Sequence, residues 1–318
     1  MRNARRSEGF TLMELMVAMA VMGIITAQLM LVFTSQRRAT TVNDRVLDVQ
    51  ESARVVINLI SYDARMAGLM VPRRSGVASV DGGFADPDRI CISDSSYFSM
   101  PLDGTKSPSL DNRDSHFDTS EVTEVQVGYV RLETTDIDGD GAAIDFSTGG
   151  GIIVSNGNRS HCAEIQTIVG DRIDFVAGHE MPAGLFPVAA EIRAVPAIVY
   201  EVDTDTLTLT RNGITLATSV EDLQIEYWVD AQIEDGRIAG TEFPIHDLNA
   251  DPGGWVINTE LIRRMRFSVT SRTDAGDQQD GMMFNRFARP ASANRDPGGP
   301  DEFRRRRFSA SVAPRNMF

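Results

Sequence analysis

The chain has 318 residues, of which 42% are hydrophobic and 24% charged, so it can form one large domain or two ordinary ones. Two cysteines exclude a disulfide-dense scaffold and a metal centre built from many thiolates. The formal net charge of −14, from 31 basic and 45 acidic residues, argues against a general nucleic-acid-binding protein.

The first element along the chain is an apolar run at residues 10–33, which contains one charged residue, Glu14, and follows three arginines. As a helix this run measures about 36 Å, enough to cross a bilayer core of about 30 Å. The arginines predict that the N-terminal end stays in the cytoplasm and that the rest of the chain is exported. The run is too long for the apolar core of a secretory signal peptide, and no small-residue cleavage site follows it.

Glu14 is the unusual residue of this run, because a carboxylate inside a spanning helix is costly and normally has a partner. No partner for it is expected within the helix itself. The alternative interpretation is an ordinary single-span anchor that tolerates a carboxylate near the membrane interface.

Residues 9–18, Gly-Phe-Thr-Leu-Met-Glu-Leu-Met-Val-Ala, resemble the class III signal of type IV pilins and type II secretion pseudopilins. The resemblance implies that a prepilin peptidase cuts between Gly9 and Phe10 and methylates the new amine of Phe10. It also implies that the Glu14 carboxylate pairs with the N-terminal amine of a neighbouring subunit. Such a pair is tolerable in low dielectric and would favour one axial offset between subunits. Removal of residues 1–9 changes the net charge to −16.

The helix is predicted to continue well beyond the apolar run. Its next section has apolar residues with the 4-3-4-3-4 spacing of one helix face: Val42, Val46, Val49, Ala53, Val56 and Ile60. Gly68 followed by Pro72 is a normal helix end. The sequence therefore predicts one helix over about 10–67, with residues 10–35 in a membrane or filament core and residues 36–70 packed against a sheet.

Residues 71–318 are predicted to form a β-rich ectodomain with one sheet system. Strand-like patterns occur at 121–132, 164–169, 172–176, 191–202, 206–210, 220–229, 263–270 and 306–312. Asp203-Thr204-Asp205 is a predicted hairpin turn, and Pro196 is expected at a sheet edge or bulge. Residues 74–119, 236–254 and 274–300 are predicted loops.

Three later segments, 52–69, 219–228 and 306–316, resemble PilW-like minor pilins. The first contains an acidic-x-Arg-Met-Ala-Gly pattern that closes the helical spine in those proteins. The resemblance implies an α+β, pilin-like fold in which a long helix packs on a β-rich ectodomain. It also implies a low-copy, non-enzymatic subunit of a type IV pilus, held in the inner membrane before assembly and found near the pilus tip afterwards. Its partners would be prepilin peptidase, the other minor pilins, the major pilin and the inner-membrane assembly platform.

Two alternative functions remain open at this point. A J-like minor pseudopilin of type II secretion shares the same plan, whereas Glu14 argues against the K-type pseudopilin, which typically lacks this carboxylate. A tip adhesin formed by the long loops is the other alternative.

No nucleophile elbow, phosphate-binding loop or zinc-protease motif is present, and the run Arg304–Arg307 is expected to divide between two strand faces rather than to bind DNA.

Two further sites are predicted in the ectodomain. Cys91 and Cys162 lie on the exported side, where they are expected to form a disulfide; two separate buried thiols are the alternative. A short acidic segment resembles the first half of a calcium-binding loop but lacks its final glutamate, and an isolated acidic turn competes with this interpretation. The candidate Ca²⁺ ligands are Asp136, Asp138, Asp140 and Asp145. The four histidines are interpreted as surface or turn residues, and no cofactor is required.

Overall fold

A computed structural model describes residues 11–68, 71, 75–83, 85–93, 120–137, 145–156, 158–186, 191–230, 242–249, 262–273, 287, 289–290, 298–301 and 303–315. The described chain begins with one helix, α1, Leu12–Met66. The helix ends two residues before Gly68, whose φ of 78° lies in the left-handed region typical of a helix stop. The prediction of a single helix over about 10–67 is therefore confirmed.

The chain divides into two compact units, Met1–Asp48 and Val49–Phe318. In the described part of the first unit, every residue from 11 to 41 is exposed, including large apolar side chains such as Leu12 and Met19. An 18-residue window within α1 has a mean hydropathy of 2.3 and is 0% buried, so the helix is long and apolar enough to cross a membrane.

In the second unit, α1 contributes one buried stripe to a packed core. Val49, Ala53, Val56 and Ile60 are all buried, as the spacing predicts, whereas Val42 and Val46 are only half-buried. Burial of the helix thus starts at Val49.

The described part of the second unit contains fourteen strands in two antiparallel sheets. The first seven are β1 Val77–Val80, β2 Arg89–Ile92, β3 Ser120–Val125, β4 Tyr129–Leu132, β5 Gly151–Ser155, β6 Ser160–Val169 and β7 Arg172–Phe175. The other seven are β8 Arg193–Asp203, β9 Thr208–Arg211, β10 Ile214–Thr218, β11 Val220–Asp230, β12 Glu242–Ile245, β13 Ile262–Arg272 and β14 Arg305–Val312.

The larger sheet has ten strands, six of which close on themselves. Strand β8 pairs with β3, and the pairing continues through β4, β7, β6 and β5 back to β8. A ring of antiparallel pairs of this kind is a small β-barrel, which leaves none of its six strands as a full-length edge. Strands β2, β1, β9 and β10 extend the sheet outside the ring.

The smaller sheet has the order β12-β11-β13-β14. Its inner face shares a core with α1 and with one face of β8, where Ile198 and Tyr200 are buried. The alternate residues of β8, including Val195 and Val199, belong to a second core within the barrel strands. Strand β8 therefore lies between the two cores, because its successive side chains point to opposite faces of the sheet.

Several strand predictions are confirmed with small shifts of their ends, but the single sheet system is wrong because there are two sheets. The predicted strand 121–132 is in fact the hairpin β3–β4, in which Gln126 N–H donates to Tyr129 O at 2.9 Å. The predicted loop 74–119 contains β1 and β2, and three further strands, β5, β10 and β12, were not predicted. Short strands without alternating polarity, such as β5 with five buried residues, carry no period-2 signal.

Pro196 does not lie at a sheet edge, contrary to the prediction. It pairs with Ile152 of β5, and its carbonyl accepts a hydrogen bond from Ser93 Oγ at 2.6 Å. On the side of β8 opposite β5, residues 193–194 pair with β3 and residues 198–200 pair with β2. Residue 196 lies between these two pairings, so no backbone N–H is required there. The missing N–H of proline is accommodated at this gap between two neighbouring strands.

Candidate assembly site at the start of the helix

Gly9 and Phe10, the predicted cleavage site, lie outside the described residues, whereas Glu14 lies in the first turn of α1. The Glu14 Oε2 atom accepts two hydrogen bonds from Thr11, one from its backbone N–H and one from its hydroxyl, both at 3.0 Å. In return, Glu14 N–H donates to Thr11 Oγ1 at 3.2 Å. Leu15 N–H donates to Thr11 O at 3.2 Å and completes the first helical turn.

This reciprocal arrangement is a capping box, with Thr11 as the N-cap residue and Glu14 three positions later. The expectation that Glu14 has no partner within its own helix is therefore wrong. The Thr-x-x-Glu spacing before an apolar run is the sequence signal that predicts this box. The box satisfies backbone donors that the start of a helix otherwise leaves without partners.

Comparison with known sequence families finds one match at this end of the chain. Residues 4–27 match the family described as the prokaryotic N-terminal methylation motif. The chain starts with a prepilin-type segment. The match covers the predicted cleavage site and the first part of α1, including Thr11 and Glu14.

Two other comparisons concern the whole chain. The type IV-like pilin TTHA1219 from Thermus thermophilus is similar over 53% of this chain and 85% of its own, with 12% identity and a TM-score of 0.22. The architecture described above is established by the strand pairings of this chain and not by that similarity. No curated protein matches the chain in sequence.

The other end of α1 is joined to the larger sheet by a buried polar cluster. Asp63 Oδ2 accepts hydrogen bonds from the Tyr200 hydroxyl and from Arg211 Nε, the latter at 3.1 Å. Arg211 Nη2 lies 3.0 Å from the same oxygen. Burial and the hydrogen bond to the Asp63 carboxylate raise the pKa of Tyr200. Asp63 begins the acidic-x-Arg-Met-Ala-Gly segment, so the acidic residue of that pattern attaches the helix to β8 and β9.

Cys91 and Cys162 form a disulfide between β2 and β6, with their Cα atoms 5.4 Å apart. Both residues are 0% exposed and belong to the core within the barrel strands. The two strands are not hydrogen-bonded neighbours in the sheet order, so the bridge joins β2 to the barrel independently of the backbone pairings.

The predicted calcium loop is only partly described, since Asp138 and Asp140 lie outside the described residues. Asp145 Oδ2 accepts a hydrogen bond from Ile137 N–H, and Asp145 N–H donates to Thr135 O at 2.9 Å. One oxygen of Asp145 therefore binds the backbone N–H of a residue eight positions earlier in the chain. Within the described ranges, no group of three or more His, Cys, Asp or Glu residues is arranged to hold a metal ion. Calcium binding by these residues stays a prediction.

Of the three histidines that the structure describes, His161 and His179 are buried. The interpretation as surface or turn residues is wrong for His161, which lies in β6, whereas His179 closes a turn by donating its N–H to Val176 O at 2.9 Å. His161 Nε2 donates to His179 O at 2.9 Å, and burial lowers the pKa of His161 to about 4. His179 Nδ1 accepts from Glu164 N–H at 2.9 Å, which leaves His179 Nε2 as the donor to Glu201 at 2.9 Å. These hydrogen bonds connect both buried rings to the backbone and to Glu201.

The basic run near the C-terminus is divided between buried and exposed positions, although not by strict alternation between strand faces, since the adjacent Arg306 and Arg307 are both exposed. The Arg305 side chain is 2% exposed and binds both Glu221 and Asp301, whereas Arg306 and Arg307 are exposed. Arg304 lies over the Phe287 ring at 4.7 Å. A run whose members point to different surroundings does not form a continuous basic surface for a nucleic-acid backbone.

Proposed function

We propose that this chain is a PilW-like minor pilin, which primes assembly of a type IV pilus and becomes part of it near the tip. The observation that carries the proposal is the match of residues 4–27 to the N-terminal methylation motif. These residues lead into a helix whose described side chains are exposed up to residue 41. An apolar helix whose described side chains are exposed fits a subunit that is stored in a membrane and later covered by other subunits.

Processing follows from the same motif. Prepilin peptidase cleaves between Gly9 and Phe10 and methylates Phe10, with the N-terminus in the cytoplasm and the ectodomain in the periplasm. The helix then holds the subunit in the inner membrane as a single span until the assembly platform transfers it to the pilus. The role is structural and not enzymatic.

Assignment to the PilW-like group rests on the resemblances of segments 52–69, 219–228 and 306–316. It also rests on the contacts that the acidic residue of the first segment makes in the fold. The acidic position of the segment 63–68 is Asp63, which is 3% exposed and contacts Tyr200 and Arg211. A subunit that transmits force from a filament core to its ectodomain needs such an attachment of the helix to the sheet. This contact supports a firm attachment of the second half of α1 to the sheet, within residues 49–318.

The decisive experiment is a clean deletion in the source bacterium, in a background that cannot retract pili, with sheared surface pilin and secreted enzymes both quantified. Loss of surface pili with intact secretion is the expected result. Normal pili with secreted enzymes retained in the periplasm would instead assign the chain to the alternative, a J-like pseudopilin of type II secretion.

The Glu14 pairing is tested within the same assay. Complementation with Glu14→Ala is expected to leave cleavage intact and to lower the amount of the subunit that shears off with the filament. Normal incorporation of Glu14→Ala would remove the proposed pairing with a neighbouring N-terminal amine.

The tip-adhesin alternative has a separate test through its metal. Calorimetry with Ca²⁺ on a soluble fragment that starts near Gln36 should give heat and a rise in melting temperature if Asp136, Asp138, Asp140 and Asp145 bind the ion. Absence of both signals would remove the calcium part of that alternative. A fragment with Asp138→Asn and Asp140→Asn is the matched control.

A further inference from the structure

We propose that the outer edge of strand β14 is a docking site for an extended, acidic segment of a neighbouring subunit, which adds a fifth strand to the smaller sheet. The inference rests on the proposed function, because a pilus places other subunits beside this one. It assigns to β14 an interaction that is separate from the pairing proposed for Glu14.

Strand β14 is the last strand of the smaller sheet in the described part of the chain. It pairs with β13 over all eight residues, Arg305–Val312, in one continuous register. No described strand pairs with its other side. Strand β14 therefore presents a regular backbone edge, which is the surface that strand addition requires.

The hydrogen-bonding direction alternates along β14. Thr273 N–H donates to Arg304 O at 2.9 Å and continues the β13–β14 ladder. In an antiparallel ladder every second residue bonds to the partner strand, so the even-numbered residues of β14 face β13. The backbone groups of Ser309 and Ser311 then point to the outer edge, where they offer two donors and two acceptors to an added strand.

Two other edge strands of the described sheets have features that prevent such pairing. Strand β12, at the opposite edge of the same sheet, has only four residues and contains Pro244. Strand β10, at an edge of the larger sheet, has a register shift between Thr215 and Ala217. Short length, proline and irregular pairing are the usual means of protecting an edge. Strand β14 has none of the three along Arg305–Val312.

The apolar face of the smaller sheet is incompletely covered at this edge. Phe308 and Ala310 pack against the core around α1 but are only half-buried. Their partners on β13, Val269 and Phe267, are 0% exposed. An added strand would place its own side chains beside Phe308 and Ala310 and cover the area that β13 does not reach.

The charge at this edge indicates an acidic partner. Residues 304–315 contain five arginines and no acidic residue, in a chain with a net charge of −14. Arg306 is exposed at the start of β14, and Arg315 is exposed beyond its end, where its N–H donates to Arg65 O at 3.3 Å. Arginines thus lie at both ends of the uncharged stretch 308–312. Carboxylates on the partner would set its position along the edge.

The test places a photoreactive benzoylphenylalanine at Ala313, an exposed residue just beyond β14, in the full-length chain in the source bacterium. Adducts formed on irradiation are collected from the membrane and from sheared filaments and identified by mass spectrometry. The chain also carries Ser311→Pro, which removes one N–H from the outer edge, or the control Ser311→Ala, which keeps it. Arg306→Glu reverses a charge at the other end of the strand. The amount of mature subunit in each fraction is the control for folding and export.

We expect an adduct with a prepilin-type subunit, either another kind or a second copy, whose crosslinked peptide contains acidic residues. Ser311→Pro should lower its yield at least about fivefold, the factor that one hydrogen bond of ordinary net strength supports, and Ser311→Ala should leave it unchanged. Arg306→Glu should also lower the yield. If Ser311→Pro reduces the amount of mature subunit, Arg306→Glu decides the test.

A subunit that enters filaments without forming the adduct would overturn the proposal, and its arginines would then serve to keep other strands away from the edge. An adduct with a protein that is not a subunit, or a yield that neither Ser311→Pro nor Arg306→Glu changes, would overturn it as well. A subunit that is missing from filaments but forms the adduct in the membrane refutes the pilus role and leaves the docking edge standing.

Discussion

The carboxylate of Asp63, near the end of α1, accepts a hydrogen bond from the hydroxyl of Tyr200 on β8, 137 positions later in the chain. Asp63 is 3% exposed and Tyr200 is 0% exposed, so water does not take the place of either partner. Arg211 on β9 supplies the positive charge, with Nη2 at 3.0 Å from Asp63 Oδ2. The helix is thus joined to the larger sheet by a polar contact as well as by its apolar stripe.

Replacement of Asp63 by Ala is expected to destabilise the ectodomain by about 2–3 kcal/mol, because it leaves the Tyr200 hydroxyl and part of the Arg211 guanidinium without their buried acceptor. Urea unfolding of the fragment that starts near Gln36 measures the change. Asp44→Ala, at an exposed position of the same helix, is the matched control and should have little effect. Equal stability of the two variants would contradict the structural role of Asp63.

Asp88 should make the ectodomain less stable as the pH rises. Burial raises the pKa of Asp88 to about 8, although its oxygens accept from Ile225 N–H at 2.7 Å and Gly82 N–H at 3.1 Å. Since the folded pKa lies above the ordinary value of 3.8, this contribution to stability is complete below pH 3.8 and is lost as the pH rises through about 8.

The free energy of unfolding should be measured between pH 6.5 and 8. The lowered pKa of His161 has the opposite effect, because its contribution is complete above pH 6.5 and is lost as the pH falls toward 4. Above pH 6.5 one proton at Asp88 gives a slope of at most about 1.4 kcal/mol per pH unit. Asp88→Asn is expected to flatten the free energy of unfolding in this window, and an unchanged slope would show that Asp88 is already ionised in the fold.

The disulfide is expected to contribute substantially to stability. Cys91 and Cys162 are separated by 71 positions, and the chain-entropy argument for a loop of this length gives roughly 4 kcal/mol. The double variant Cys91→Ala/Cys162→Ala should therefore unfold at a clearly lower urea concentration. Because both residues are 0% exposed, the bridge of the folded wild-type fragment should resist dithiothreitol until the fragment is unfolded. Rapid reduction under native conditions would contradict the burial of the bridge.

Arg305 and Arg306 are adjacent and form a matched pair for mutation. Arg305 binds Glu221 Oε1 at 3.0 Å and Asp301 Oδ2 at 2.7 Å, and these bonds hold the pKa of Asp301 well below its ordinary range. Arg305→Ala is expected to destabilise the ectodomain by about 3 kcal/mol, because the two carboxylates lose their shared cation. Arg306→Ala, at an exposed position, should leave the denaturation midpoint nearly unchanged. Similar losses for both variants would contradict the division of the basic run between two environments.

Local periodicity predicted the parts of the fold that depend on near neighbours in sequence. The helix, its end near Gly68 and its buried stripe follow from spacing along one segment, and nine of the fourteen described strands lie in segments predicted from short patterns and turns. The Asn212-Gly213 pair between β9 and β10 is a local signal of the same kind. Its φ values of 52° and 70° are those of a tight hairpin turn, and its position predicts β10.

The sequence by itself determined the prepilin-type start, the long helix, the β-rich ectodomain and the only possible disulfide within the chain. The tertiary structure decided which strands pair, that six of them close into a ring, and that the remaining sheet is separate. It also decided that Asp63 meets Tyr200 and that His161 is buried. Strand order and the contacts of single polar residues depend on residues far apart in the chain, and these contacts leave no periodic pattern in either segment.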